Sequence, residues 1–283
     1  MAGRGLLRNV KRRLMPYPVF PVINLPFRVF DTWRHYIGPI VKNWLVWIFS
    51  SRADANFTYD LTERCRINIA AGLSGILRRD YNEILGYFDE IESDDEFNSH
   101  VGSLWHVHPE RYRTDTDPHV GRRMVWYAVA RAIKPKVLVE TGVDQGLGAV
   151  VLCAALRRNK LEGYEGKYYG TDINPAAGYY LQGEYRKFGE VIIGDSLKSL
   201  EALDEKIDLF INDSDHSADY EQAEYEMVKP KLADGAILLG DNSHVTPRLA
   251  EFSMRNGRKF VFLSEEPANH WYRGAGVGVS FPS

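Results

Sequence analysis

VLVETGVDQGLGAVVLCAAL, residues 137–156, joins an apolar run, a turn punctuated by glycine and a second apolar run with helical spacing. Val137 to Val139 are apolar and mostly β-branched, as a strand covered on both faces requires. Glu140 ends that run. Gly142, Gly146 and Gly148 then supply positions where the backbone turns sharply or approaches another group without a Cβ in the way. From Ala149 onward, alanine and leucine favour a helix. A strand, a glycine turn and a helix N-terminus together make a nucleotide-type site, because unpaired amides at the helix start attract a carboxylate or phosphate.

Downstream, strand and helix patterns alternate. Strands are expected at Lys167 to Thr171, Glu190 to Ile193, Ile207 to Asn212 and Ala236 to Gly240, with two more at Lys259 to Leu263 and Gly276 to Phe281. Helices are expected at Ala176 to Phe188 and Ala218 to Leu232. Such alternation predicts an α/β fold: a doubly wound, mostly parallel sheet of seven strands with helices on both faces. Ligands bind such sheets beyond the carboxyl ends of the strands.

Upstream, the helix Val120 to Ile133 opens a domain running from 120 to 283. Residues 58–119 read as a helical cap and lid. Apolar residues at three and four over Thr58 to Glu92 predict two amphipathic helices. His100 to His119, with His106, His108, Asp115, Asp117 and His119, has no periodicity and no metal-ligand spacing, and reads as a substrate-lid loop.

Residues 1–57 are basic and aromatic. Arg4, Arg8, Lys11, Arg12, Arg13 and Arg28 meet no acid in the first 30 residues, and Pro16, Pro18, Pro21 and Pro26 exclude one continuous helix. The apolar run Tyr36 to Phe49 is shorter than the ~20 residues that cross a bilayer. Cations followed by Trp44 and Trp47 suit the surface of an anionic membrane. A tail packed on its own domain, or on a second subunit in a homo-oligomer, fits the same pattern.

The bulk composition is that of an ordinary globular chain, 45% hydrophobic and 26% charged, and the net charge of -3 gives no reason to expect a nucleic-acid partner. Cys65 and Cys153 have no CxxC or Cys/His spacing, which points to a reduced, cytoplasmic setting, with peripheral membrane contact through the N-terminal segment.

The chemistry is concentrated at the strand ends. Glu140, Asp172, Asp195, Asp213 and Asp241 place an acid at or just past each of the first five, a pattern that packing explains poorly because carboxylates are rarely buried unpaired. An acid after strand two accepts hydrogen bonds from both hydroxyls of a ribose. The turn ETGVDQGLG lacks the GxGxxG of a dinucleotide site, which weighs against the competing reading of a nicotinamide-dependent oxidoreductase. Asp195 suits an adenine amino group.

These residues resemble the class I S-adenosylmethionine-dependent methyltransferases, over about Val120 to Phe281. The resemblance implies a Rossmann-like sheet with S-adenosyl-L-methionine as cofactor, held by Glu140, Gly142, Gly146, Gly148, Asp172 and Asp195. The spacing is most similar to the small metal-dependent O-methyltransferases of the catechol and caffeoyl-CoA type, and to bacterial sugar and natural-product O-methyltransferases. Those enzymes hold a divalent metal, Mg²⁺ by expectation, with an aspartate after strand four and an Asp-Asn pair after strand five. Asp213, Asp241 and Asn242 match those positions. Their lysine three places beyond the first aspartate is replaced here by His216.

The resemblance thus implies methyl transfer to a hydroxyl of a small molecule, such as a sugar, glycolipid or secondary metabolite. A hydroxyl attacking a sulfonium methyl needs positioning and loss of its proton, which a hard cation and a histidine base supply. Plainer roles exist for each residue: Asp213, Asp215 or Ser217 as a helix cap, Asp241 and Asn242 as a turn, and His244 as the rival base. A membrane-associated binding protein that keeps the fold without turnover is the non-enzymatic alternative.

Overall fold

The structure is a computed structural model that describes residues 9–51, 59–113 and 119–283, apart from the side chains of Arg113 and Asn242. Arg4, Arg8, Asp115 and Asp117 lie outside the described residues. The described residues form two compact units: residues 9–51 with 269–272, and residues 59–113 and 119–268 with 273–283.

The larger unit is built on a seven-stranded sheet. Its strands are β1 (Val137–Thr141), β2 (Lys167–Asp172), β3 (Gly189–Ile193), β4 (Ile207–Asn212), β5 (Leu232–Gly240), β6 (Arg258–Ser264) and β7 (Gly276–Pro282), in the order β3-β2-β1-β4-β5-β7-β6. β1 to β5 pair in parallel, and β7 lies antiparallel between β5 and β6. This is a doubly wound, mostly parallel, Rossmann-like sheet. β1 is buried at all five positions, which explains why its sequence shows no alternation. Strand order reverses between β1 and β4, so the crevice for a ligand opens at the carboxyl ends of these two strands.

Helices flank the sheet. Those of this unit are α2 (Glu63–Leu77), α3 (Tyr81–Glu92), α4 (Asp95–Val107), α5 (Arg123–Ile133), α6 (Leu147–Leu161), α7 (Ser196–Ala202), α8 (Ala218–Val228) and α9 (Arg248–Arg255); α1 (Gly38–Ser50) belongs to the smaller unit. α5 is buried from Met124 to Ala132 and carries Arg131, whose guanidinium is 3% exposed. Arg131 donates to Glu90 of α3, to Asn159 of α6 and to Glu162 just past α6, so one cation satisfies polar groups from two helices and a helix end.

Two expectations fail here. The segment His100 to His119 is not all loop, because α4 runs to Val107. Asp94 caps it by accepting from the Phe97 amide at 3.0 Å, acids fill its first turn, and Phe97, Val101 and Trp105 bury one stripe. The expected helix Ala176 to Phe188 is absent; a run of turns leads to a short 3₁₀ helix, Tyr185–Phe188. Pro175 opens the segment, Asn174 Oδ1 accepts from the Ala176 amide at 3.0 Å, and Gly178 and Gly183 take left-handed φ values of +78° and +55°. Asx turns and left-handed glycines both end helical propagation.

In the smaller unit the prolines open helices. Phe20–Ile23, Leu25–Thr32 and α1 each carry proline in the first two positions, where its missing N–H costs nothing. Asn43 Nδ2 donates to the His270 carbonyl at 3.1 Å, and the Trp47 and Trp271 rings lie 5.4 Å apart. His270 and Trp271 therefore pack with the N-terminal helices. No helix among the described residues is long and apolar enough to cross a membrane.

Candidate functional site

The glycine turn is closed by protein atoms on the side where each glycine lacks a Cβ. At Gly142, with φ +82°, a Cβ would overlap the Asp213 carbonyl and lie 2.6 Å from the Ser214 Cα; at Gly146, φ +90°, it would lie 2.8 Å from the Gly178 Cα. At Gly148 it would meet the Glu140 carboxylate and the Trp126 ring. These glycines let the turn pack against β4, the 178 turn and the core. The opening of α6 is thereby fixed, with the amides of Leu147, Gly148 and Ala149 in its first turn.

The five strand-end acids do different work. Asp172 accepts from the Asp144 amide and from the Asn174 amide, each at 2.8 Å, which ties the glycine turn to the segment after β2. That segment also closes on the turn: the Gly178 amide donates to the Asp144 carbonyl and the Tyr180 amide to the Gln145 carbonyl. Asp195 caps α7, accepting from the Lys198 amide at 3.2 Å, and is partly exposed.

Glu140 is 1% exposed and turned into the core, where it accepts from the Tyr168 hydroxyl. Burial pushes its pKa up to about 8, against the lowering effect of the Tyr168 hydrogen bond. Folded Glu140 therefore keeps its proton above the unfolded value of 4.5, and stability contributed by this site falls as pH rises from about 4.5 to about 8. Glu140→Gln preserves an acceptor for Tyr168 and removes the titration. Its stability relative to the parent is expected to rise by a few kcal/mol between pH 5 and 8, since one proton held by the folded state alone is worth about 1.4 kcal/mol for each step of one in pH. Urea unfolding of both proteins across that range measures it, and parallel pH profiles would exclude the assignment.

Asp213 and Asp241 stand at the ends of neighbouring strands and their carboxyl groups face each other. Burial, then the charge of Asp241, raises the Asp213 pKa well above the usual carboxylate range. Asp241 is fully buried, and neither of its oxygens receives a hydrogen bond from the described residues. The nearest cation is Arg122, just before α5, whose Nε lies 3.0 Å from Asp241 Oδ1. Burial works against the Arg122 charge, but Asp241, Asp213 and Glu265 outweigh it and hold its pKa above the ordinary arginine value. Glu265 accepts from the Tyr59 hydroxyl at 2.6 Å, and burial raises its pKa to about 7.

Among the described residues no group of three or more His, Cys, Asp or Glu is arranged to hold a metal ion. The donors present still suit a hard cation: two facing carboxylates, one of them paired with Arg122 through Oδ1. The Asn242 side chain lies outside the described residues.

His216 is exposed in the loop after β4, three residues past Asp213. In the same loop Asp215 Oδ1 accepts from the Ser217 amide at 2.8 Å, forming the turn that leads into α8. His244 Nδ1 lies 3.0 Å from the Asp241 carbonyl.

Three contributors escaped the sequence: Arg122, Glu265 and Glu224. Glu224, buried in α8, accepts from the hydroxyls of Ser196, Ser214 and Thr141 and from the Asn212 amide group, so one carboxylate joins the ends of β1 and β4 to the start of α7. Burial raises its pKa despite these four donors. Arg122 had a sequence signal, a pair of arginines opening an otherwise apolar helix; Glu224 sits in a helix rich in acids and had none.

No curated protein matches the chain. Solved structures with a similar course include an S-adenosylhomocysteine-bound methyltransferase of Podospora anserina, 18% identical, covering 67% of this chain and 88% of its own, TM-score 0.46. Another is a putative O-methyltransferase of Klebsiella pneumoniae, 15% identical, covering 68% and 94%, TM-score 0.48. A third is the O-methyltransferase TomG of Streptomyces achromogenes, involved in tomaymycin synthesis and in complex with S-adenosylmethionine, 13% identical, covering 79% and 100%, TM-score 0.47. Residues 139–243, from the middle of β1 to just past Asp241 and Asn242, match the family model of a methyltransferase domain.

Proposed function

We propose that this chain is an S-adenosylmethionine-dependent O-methyltransferase acting on a hydroxyl of a sugar, glycolipid or secondary metabolite. The observation that carries the reading is the pairing of Asp213 and Asp241 at adjacent strand ends, directly behind a glycine turn that Asp172 braces. The match of residues 139–243 to a methyltransferase domain supports it.

In this reading the α6 N-terminus receives the carboxylate of the methionine portion. Asp172 accepts from the ribose hydroxyls with the lone pairs its two backbone bonds leave, and Asp195 accepts from the adenine amino group. S-adenosylmethionine, when bound, supplies an electrophilic methyl group. Asp213 and Asp241, with Asn242, would hold a divalent cation such as Mg²⁺, which supplies orientation and acidity to a hydroxyl. Arg122 offsets part of the repulsion between the two carboxylates. His216, on an exposed loop three residues past Asp213, takes the acceptor proton as general base.

The test is calorimetry with S-adenosylmethionine and with NAD⁺, followed by transfer of a labelled methyl group to a panel of hydroxyl compounds. Micromolar-range binding of the sulfonium and none of NAD⁺ is expected. Asp172→Ala should weaken it about 10- to 100-fold, as loss of a hydrogen bond to a charged group does. Retention of NAD⁺ in place of S-adenosylmethionine would overturn the reading.

A further inference from the structure

The smaller unit poses a separate problem, independent of the methyltransferase reading. None of the helical pieces over Phe20–Ser50 has a buried residue. Phe27, Phe30, Trp33, Tyr36, Trp44 and Phe49 are all exposed, Tyr36 to 66% and Phe49 to 85%. Most helical stability in proteins comes from packing an apolar face, and these helices bury none of theirs, so something must cover it.

The charges identify the occupant. Between residues 9 and 51 the cations Lys11, Arg12, Arg13, Arg28, Arg34 and Lys42 meet a single acid, Asp31. Cations and aromatics share one surface, since the Lys11 ammonium sits over the Phe27 ring at 4.1 Å. A second copy of the chain would bring this basic surface against itself, with one aspartate to offset six cations. Anionic lipid headgroups offset them all, and Trp and Tyr favour the boundary between headgroups and acyl chains. Leu25–Thr32, a π turn at Trp33–Ile37 and α1 follow one another without a break, but Arg28, Asp31, Arg34 and Lys42 interrupt the run, and no helix among the described residues is long and apolar enough to cross a membrane.

We propose that the smaller unit is an in-plane anchor for the surface of an anionic lipid bilayer. Its helical pieces lie along the interface, with aromatic side chains in the headgroup boundary and arginines at the phosphates.

Flotation of the full chain with vesicles of phosphatidylcholine, and of phosphatidylcholine mixed with phosphatidylglycerol, tests this. Binding to the mixed vesicles, weakening with salt, is expected, with little to the neutral ones. Each basic residue near such a surface contributes about fivefold, so Arg12→Glu with Arg13→Glu should reduce partitioning by at least about 25-fold. Phe30→Ser with Phe49→Ser should abolish it even at low salt. S-adenosylmethionine calorimetry and a thermal melt on the same samples show separately whether the larger unit is folded and loaded. Equal binding to both vesicle types, or no flotation with either, would overturn the proposal. So would a sedimentation-detected dimer that the same substitutions dissociate, which assigns the surface to a second copy.

Discussion

Gly142→Ala is expected to cost at least ~3 kcal/mol of stability and to remove S-adenosylmethionine binding, a larger loss than strain alone produces. Gly142 holds φ +82°, and a Cβ there would overlap the Asp213 carbonyl. The obstacle is main chain at the end of β4, so no rotamer change relieves it. Either the glycine turn lifts away from Asp213 or the end of β4 shifts, and both displace the opening of α6. Gly163→Ala is the control: Gly163 has φ +88° but nothing within 4 Å of the added carbon, so only the left-handed penalty of about 1–2 kcal/mol applies. Urea midpoints for the two variants, with unchanged slopes, separate overlap from strain. Equal losses in the two would show that Gly142 is needed for its dihedral angle alone.

The second large effect concerns the ion pair behind the site. Asp241→Ala leaves Arg122 buried opposite Asp213 and Glu265 alone, and Arg122→Met leaves Asp241 facing Asp213 without its cation. Each is expected to cost about 3–5 kcal/mol, the usual result of removing one partner of a buried pair. The double variant should lose less than the sum by about 2 kcal/mol or more, since each substitution removes the group the other orphaned. Mn²⁺ titration gives an independent reading. Affinity should disappear in Asp241→Ala and persist or tighten in Arg122→Met, where the guanidinium no longer competes for the same oxygens. Strict additivity in the cycle would mean that the 3.0 Å contact carries no coupling.

The strands were legible because their signal is local. Ile207–Asn212 is read from six consecutive residues, mostly apolar, and the structure assigns those same residues to β4. The segment after β2 misled because its alanines, tyrosines and leucine are good helix material taken singly, whereas the backbone is decided by Pro175, the Asn174 turn and two left-handed glycines. α4 was hidden by its histidines, which mask the signal of the Asp94 cap and the Phe97, Val101, Trp105 stripe.

The site divides in the same way. Acids at strand ends follow directly from strand positions, so all five were visible. Their partners were not, because contact between Arg122 and Asp241, or between Tyr59 and Glu265, joins residues far apart in the chain through the closing of the fold. The glycines were visible as a turn, but their neighbours were not: that Gly146 faces Gly178 depends on a segment whose conformation the sequence misrepresents.

Arg131 bears on how the larger unit is inherited and dismantled. Its guanidinium joins Glu90 of the helical cap to Asn159 and Glu162 around α6, while α5, which carries it, is buried against both neighbours. Cap and sheet therefore share one charge balance, and neither half can shed the other without stranding an ion in the interior. The boundary near residue 120 marks a change in sequence pattern, not a joint in the molecule. Residues 59–113 thus belong with this sheet to one compact unit, tied to it by a buried charge.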